Sequence, residues 1–328
     1  MKDNENYRQV LLFEKLQKVA LTHQKAFVNQ VCDLLGLKID AAYRRMRGET
    51  TISFDHVVKL CKHFHLPLET FLSDVDNNQF QCILVPENIN NIDNYVSFTK
   101  DFSASLEKSR SQPGSEIILS AADIPVFHFL AFKELAFFQL FSWNKKINTL
   151  PEKYETFAEQ LNTTDLSTCY QQIVTNYQHI PTTEIWTPNT IDSILQLIRY
   201  HALLNHFTDK KTPLLFCRQL MELMESLMQR LVKSAKNQND TRFDLYINEV
   251  DVGNTIILFK NEEQTTCLLR LFTINGLSVS NERFCQTVDH WLHHLTLQST
   301  LLSGSSEIER FKFFDVQKRK IKTLMDSL

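Results

Sequence analysis

Three arginines, Arg44, Arg45 and Arg47, fall within four consecutive positions of a 328-residue chain whose formal net charge is −3. An arginine side chain carries several N–H donors in a rigid planar fork, which fits the edge of a guanine or the oxygens of a phosphate. Because the chain as a whole has no surplus of positive charge, this concentration indicates a local role. We therefore expect the stretch to face DNA.

Two short helices and a tight turn position these arginines. Apolar spacing predicts a helix over 24–35 that is ended by Gly36, and a second over 39–46 that is closed by Gly48. A helix ended by glycine, followed by a turn and a short arginine-rich helix, is the arrangement that fits the major groove of DNA. Further helices are predicted over 6–21, from Ser53 as an N-cap, and over 67–72.

Charge is distributed unevenly along the chain. Residues 1–72 contain seven Lys and four Arg against four Asp and four Glu, a net of +3, and the remainder carries −6. A basic segment attached to a larger acidic one suggests that the basic segment binds a polyanion. The polar N-terminus is unlike a secretory signal, and the seven scattered cysteines suit a reducing compartment, so we expect a cytoplasmic protein without a membrane span.

The residues around the turn resemble the Cro/C1-type (Xre-like) helix-turn-helix of transcriptional regulators. A small residue, Cys32, lies four positions before the turn glycine, and Leu37, Ala42 and the pair Arg47-Gly48 follow at the family's spacing. The motifs Leu-Gly-Leu, YRRxRGE and LCKHF are in addition similar to those of BetR-domain-like regulators of Bacteroidetes. The resemblance implies a bacterial, λ-repressor-like, five-helix DNA-binding domain.

The same resemblance implies which side chains would contact DNA. Its base-reading surface corresponds to the start of the second helix, and its phosphate contacts to Arg47 and the first helix. The implied base-reading residues are Lys38, Ile39, Asp40, Tyr43 and Arg44, and the implied phosphate ligands are Arg47, Gln24 and Asn29. The chemistry is suitable, since Arg pairs with guanine, Asp accepts from cytosine and Ile contacts a thymine methyl.

The rest of the chain reads as mostly helical. The patterns predict a helix over 92–109, a short strand from Glu116 and a buried aromatic helix over 125–142. They also predict a helix over 213–232 whose apolar residues recur at nearly the seven-residue spacing of a coiled coil, here called the seam. Three strands are expected in 242–250, 255–260 and 265–273, joined by hairpin turns at DVGN and NEEQ. With only six glycines, an open α/β nucleotide-binding fold is disfavoured.

The predicted fold class is therefore mainly α, with the helix-turn-helix domain and a larger helical C-terminal domain bearing a three-stranded antiparallel meander. The predicted segments are a DNA-binding domain over 1–73, a linker with a helix over 74–115 and a regulatory or dimerisation domain over 116–328.

Other patterns that could do chemistry are weaker. His290, His293 and His294 lie near Cys285 at a spacing that a metal could use, but no second ligand group stands nearby in the sequence. We find no nucleophile elbow, Gly-rich phosphate loop or HExxH motif, and we expect no enzyme, no metal and no cofactor. The basic C-terminal helix is expected to pack on one side and face solvent on the other.

These observations predict a one-component transcriptional regulator that binds double-stranded DNA as a homodimer, with a possible small-molecule effector. The helix 92–109 and the seam 213–232 are the candidates for dimerisation, and each could instead pack into the core of a single chain. The aromatic helix would line an effector pocket or fill a core. The alternative is a protein-interaction or assembly module with the same fold, whose helix-turn-helix does not bind specific DNA.

Overall fold

In the computed structural model the chain divides into two units, Met1–Gln79 and Phe80–Leu328. The structure describes residues 6–20, 24–64, 66, 83–85, 92–144, 151–237, 240–250, 252–271 and 276–328.

The described part of the first unit is helical. Its helices are α1 (Tyr7–Ala20), α2 (Gln24–Leu35), α3 (Ile39–Met46) and α4 (Phe54–His63). They share one apolar core, in which Phe13, Phe27, Ala42 and Leu60 are almost completely buried. The Ser53 side chain accepts a hydrogen bond from the His56 amide and caps α4 as predicted. The predicted helix over 67–72 lies outside the described residues.

The second unit is built on an eight-stranded mixed sheet with the order β1-β7-β6-β5-β2-β3-β4-β8. The strands are β1 (Ile83–Val85), β2 (Glu116–Ser120), β3 (Thr182–Trp186), β4 (Phe243–Ile247), β5 (Ile256–Lys260), β6 (Thr265–Arg270), β7 (Gly276–Val279) and β8 (Thr300–Leu301). The pairs β2–β3 and β3–β4 are parallel, and the other neighbours are antiparallel.

Helices cover both faces of this sheet. They are α5 (Ile92–Arg110), α6 (Val126–Phe129), α7 (Lys133–Asn144), α8 (Tyr154–Asn162), α9 (Leu166–Gln178), α10 (Asp192–Leu203), α11 (Lys211–Val232), α12 (Glu282–Leu297) and α13 (Glu307–Ser327). On one face α12 packs Cys285 and Leu292 against Leu258. The larger core lies on the other face, where most of the remaining helices contribute.

The predicted fold class, mainly α with a three-stranded antiparallel meander, is wrong. The hairpin β5–β6 forms at the NEEQ turn, but β6 continues to β7, and β4 pairs in parallel with β3 far across the sheet. Strand β3 was not predicted, because its buried Glu184 interrupts the apolar pattern that marks a buried strand. Parallel pairing joins residues distant in sequence through helical crossovers, and local spacing carries no signal for it.

The second unit forms its sheet although the chain contains only six glycines. Three turns that require a positive φ use Asn205 (φ 53), Ser234 (φ 50) and Asp240 (φ 56) instead of glycine. Asn and Asp tolerate the left-handed region better than most residues, because their short polar side chains bond locally. An open sheet with helices on both faces therefore forms here with few glycines.

Candidate nucleic-acid interface

The turn between α2 and α3 is fixed by backbone geometry. Gly36 adopts φ +65, and the Leu37 amide donates to the Cys32 carbonyl at 3.0 Å. This is the hydrogen bond of a Schellman motif, which ends a helix and reverses the chain in one step. The predicted helices 24–35 and 39–46 are confirmed with these bounds. The turn thus sets where α3 begins.

The first half of α3 is anchored on one side and open on the other. Ala42 is fully buried against α1 and α2, and Tyr43 is half-buried at the edge of the same core. Four of the predicted base-reading side chains are exposed to solvent. They are Lys38, Ile39, Asp40 and Arg44. Ile39 is 56% exposed although it is apolar, which leaves its methyl groups free for an apolar contact such as a thymine methyl.

A glutamine of α1 holds the far end of α3. Gln9 donates from Nε2 to the carbonyls of Arg45 at 2.6 Å and Thr50 at 2.8 Å, and its Oε1 accepts from the Ile52 amide at 2.9 Å. These three bonds tie the end of α3 and the loop that follows it to α1. Gln9 was missed in the sequence, because its partners lie more than 35 residues away in the chain.

The three clustered arginines have different surroundings. Arg45 turns back and donates from its guanidinium to the Ala41 carbonyl at 3.0 Å. Arg47 forms a two-pronged pair with Glu49, with Nε–Oε1 at 2.6 Å and Nη2–Oε2 at 3.1 Å. Arg44 approaches the same carboxylate only to 3.9 Å. The Arg47 hydrogen bond holds the pKa of Glu49 below its ordinary value, so the carboxylate is charged at neutral pH.

The remaining predicted contacts are placed as follows. Asn29 is exposed on α2, and Gln24 is the first residue of α2, although its side chain lies outside the described part. Glu49 was missed as a partner of Arg47, and its position two residues after Arg47 is the signal that could have found it. Contact between these side chains and DNA stays a prediction.

A second group of polar side chains lies inside the second unit. Glu184 on β3 is completely buried, and its carboxylate oxygens lie 3.0 Å from His128 Nε2. Trp186 Nε1 donates to the same carboxylate at 2.7 Å, and the Tyr177 hydroxyl also donates to it. Burial by itself raises the pKa of Glu184, but His128 and Tyr177 outweigh it, and the net pKa is lowered.

Lys236 completes this buried group. Its Nζ donates to the carbonyls of Tyr177 at 2.8 Å and Ile180 at 2.9 Å and to the Thr182 hydroxyl, and it lies 3.2 Å from the centre of the Tyr177 ring. Burial lowers the pKa of Lys236 well below its ordinary value. Every polar group named here is bonded within the core, an arrangement that stabilises a fold and gives a substrate no access.

The candidate metal ligands are brought together only in part, since the rings of His290 and His294 lie 4.4 Å apart but the Cys285 thiol is separate from them. His290, His293 and His294 are exposed on α12, whereas the Cys285 thiol is buried and donates to the carbonyls of Thr265 and Val279. Among the described residues, no group of three or more metal-ligating side chains could hold a metal ion. In the same part of the chain, no helix combines the length and apolarity needed to cross a bilayer.

The cations of α13 are mostly engaged within the unit. Arg310 is buried and donates to the carbonyls of Leu302 and Gly304, and Lys320 pairs with Asp192 at 2.6 Å. The other ion pairs of α13 are Lys312–Glu309, Lys318–Glu225 and Arg319–Asp315. These contacts agree with a helix that packs on the unit and not with a free basic patch.

Comparison with known proteins gives one match. A family model described as the BetR domain matches residues 12–90, about a quarter of the chain, and the match includes α2, α3 and α4. No curated protein and no solved structure matches the chain. The resemblance to the BetR domain is thereby supported for this segment, which points to a DNA-binding, regulator-like role. The Cro/C1-type resemblance is not confirmed.

Proposed function

We propose that this protein is a one-component transcriptional regulator. The first unit binds a specific double-stranded DNA sequence through α3, and the second unit controls dimerisation or senses an effector. The proposed role is binding and not catalysis.

The observation that carries the proposal is the exposed side of α3. Lys38, Asp40 and Arg44 supply a cation, an acceptor and a planar donor, and Ile39 supplies an apolar group. Base edges in the major groove present this same mixture of acceptors, donors and methyl groups. Because Ala42 and the Gln9 hydrogen bonds hold the helix on its other side, these groups are presented on a fixed scaffold. The BetR-domain match over the same residues supports this interpretation.

The first experiment selects bound fragments from random double-stranded DNA with the full-length protein, followed by gel shifts across a range of salt. We expect enrichment of one motif and an affinity that falls steeply with salt, because phosphate contacts release bound counterions. If no motif is enriched, the proposal fails. The chain would then be better described as an assembly module.

Two arginine variants test how α3 is used. Arg44→Ala should lose roughly 1–3 kcal/mol of discrimination at one base position, because a guanidinium paired with a base reads that base alone. Arg47→Ala should weaken binding to all sequences alike, as expected of a phosphate contact. The matched control is Lys59→Ala, which removes the same charge from an exposed position on α4. If Arg44→Ala and Lys59→Ala behave identically on the selected motif and its single-base variants, α3 is not the reading helix.

A further inference from the structure

A cavity of about 520 Å³ lies within the second unit, between the helices α5, α6 and α7 and the face of strands β5, β6 and β7. Its walls combine aliphatic and polar side chains with several aromatic ones, among them Tyr95, Phe98 and Phe102 from α5, Trp143 from α7 and Phe259 from β5. This volume is within the range of sites that bind a single small molecule. Most of the aromatic helix predicted as a pocket lining is instead core, and only Trp143 among its rings lines the cavity.

One polar side chain in this cavity has no partner. Gln139 on α7 lines the cavity and is only 9% exposed, and its amide makes no hydrogen bond to any residue in the described part of the chain. A buried amide costs free energy unless it is hydrogen-bonded, so such a group calls for an explanation. The amide of Gln139 is not sealed inside the protein but opens onto the cavity, where the polar group of a ligand can reach it.

Several other polar groups of the wall are already engaged. The Tyr170 hydroxyl donates to the Tyr95 hydroxyl at 3.2 Å, and the Thr255 hydroxyl accepts from the Ala122 amide at 3.3 Å. Arg270 is paired through two nitrogens with Asp123, at 2.7 and 2.8 Å. Among the amide side chains that line the cavity, Gln139 is the most deeply buried, which favours it as the group that would orient a ligand.

The charges of the wall indicate what kind of ligand fits. Lys108 and Glu263 are exposed at the rim, and the Arg270 charge is balanced by Asp123. Inside the cavity a charged ligand would be desolvated while the charges of Lys108 and Glu263 remain at the exposed rim, which is strongly unfavourable. A neutral ligand with an apolar body avoids this cost.

We propose that this cavity binds a neutral, mainly aromatic small molecule whose single hydrogen-bonding group reaches the amide of Gln139. The role of this ligand as an effector rests on the proposed regulatory function. Its binding in the cavity does not depend on that function and is tested without DNA.

The experiment uses two probes of nearly equal shape with the full-length protein. N-phenyl-1-naphthylamine is neutral, fluoresces in apolar surroundings and carries one N–H, whereas 1-benzylnaphthalene has a CH₂ at that position. We expect the amine to bind saturably with one equivalent per chain, and the hydrocarbon to compete with it. In Gln139→Leu the preference for the amine over the hydrocarbon should fall roughly fivefold, because one hydrogen bond is removed.

Gln139→Leu is also a variant that should fold well. Its amide makes no bond to the described protein, so replacing it by an apolar side chain of similar size should leave the thermal unfolding temperature unchanged or raised. A clear loss of stability, or an unchanged preference between the two probes, would overturn the assignment of Gln139.

A pair of bulky variants tests the location. Leu268 lines the cavity, whereas its neighbour Leu269 packs on the opposite face of the sheet. Leu268→Trp should weaken both probes at least about tenfold by filling the site, and Leu269→Trp should not. Binding that is absent in the parent chain, or equal in both variants, refutes the proposal. If the probes bind as expected but DNA selection fails, the cavity stands and the regulatory function falls.

Discussion

At the scale of single residues, three arginines that look alike in the sequence have three different environments. Arg45 is bonded back to its own helix, Arg47 is held by Glu49, and Arg44, which is as exposed as Arg47, approaches Glu49 only to 3.9 Å. A guanidinium that already has a carboxylate partner can bind a phosphate only when that pair is displaced or shared. The carboxylate of Glu49 is therefore expected to oppose DNA binding at this end of α3.

This predicts that Glu49→Gln tightens DNA binding. Removing the carboxylate frees Arg47 and removes a negative charge that would face phosphates, so affinity for the selected motif should rise roughly threefold at low salt. The gain should shrink as salt increases, because both groups are exposed and screened. Gel shifts at several salt concentrations measure it.

The control is Asp55→Asn, which makes the same change of charge at an exposed site in the first turn of α4. An equal gain in the two variants would mean that only net charge matters. The Arg47–Glu49 pair would then have no specific part in binding.

At the scale of the elements, two glycines with positive φ close the helices of the candidate interface, but they differ in their surroundings. A Cβ added at Gly36 (φ +65) would meet no atom within 4 Å. A Cβ at Gly48 (φ +74) would lie 3.1 Å from Val10 Cγ2 and 3.2 Å from Asn6 Cβ. Gly36 is thus required by conformation alone, whereas Gly48 also allows α1 to approach the end of α3, where Asn6 donates to its carbonyl at 2.8 Å.

We expect Gly36→Ala to destabilise the first unit by about 1–2 kcal/mol through backbone strain. Gly48→Ala should cost more, by roughly another 1 kcal/mol or above, because the added methyl group also crowds α1. Hydrogen–deuterium exchange of peptides from α2 and α3 in the full-length chain measures this, with faster exchange in Gly48→Ala than in Gly36→Ala.

The internal control is tryptophan fluorescence, since Trp143, Trp186 and Trp291 all lie in the second unit. Their emission and unfolding should be the same in both variants. If Gly36→Ala is the more disruptive of the two, the close approach at Gly48 does not limit the packing of α1.

At the scale of the whole molecule, the two units have separate cores, and the predicted dimerisation helices are already used within the second unit. Phe216, Leu220 and Leu227 of the seam over 213–232 are fully buried in its core. On α5, Tyr95 and Leu106 are also buried. Both helices therefore place their main apolar residues in the core of one chain, which was the alternative to dimerisation, and the dimerising surface stays a prediction.

A dimer on DNA is still expected, because one recognition helix contacts only a few base pairs and useful specificity needs the first units of two chains. Sedimentation velocity at tens of micromolar protein, with and without the selected DNA, should show two protomers on each DNA fragment. The motif obtained by selection should contain two half-sites about one helical turn apart. A single protomer on a single half-site would contradict this.

The sequence by itself determined the local features of the first unit. The glycines that end the helices and the 3.6-residue spacing of apolar residues predict the bounds of α2 and α3, and the small residue Ala42 indicates their buried side. These features are local because a helix and its cap are encoded within a few consecutive residues. The motifs around them identified the BetR-like segment. These signals act over short stretches of chain and can be read without the fold.

Only the tertiary structure decided what depends on distant residues. The parallel pairing of β4 with β3, the burial of Glu184 among His128, Tyr177 and Trp186, and the cavity that surrounds Gln139 all join segments far apart in the chain. Strand spacing of two residues indicates which side of a strand is buried, but not which strand lies beside it. That choice is made by packing the two faces of the sheet, and so the site in the second unit emerged only with the fold.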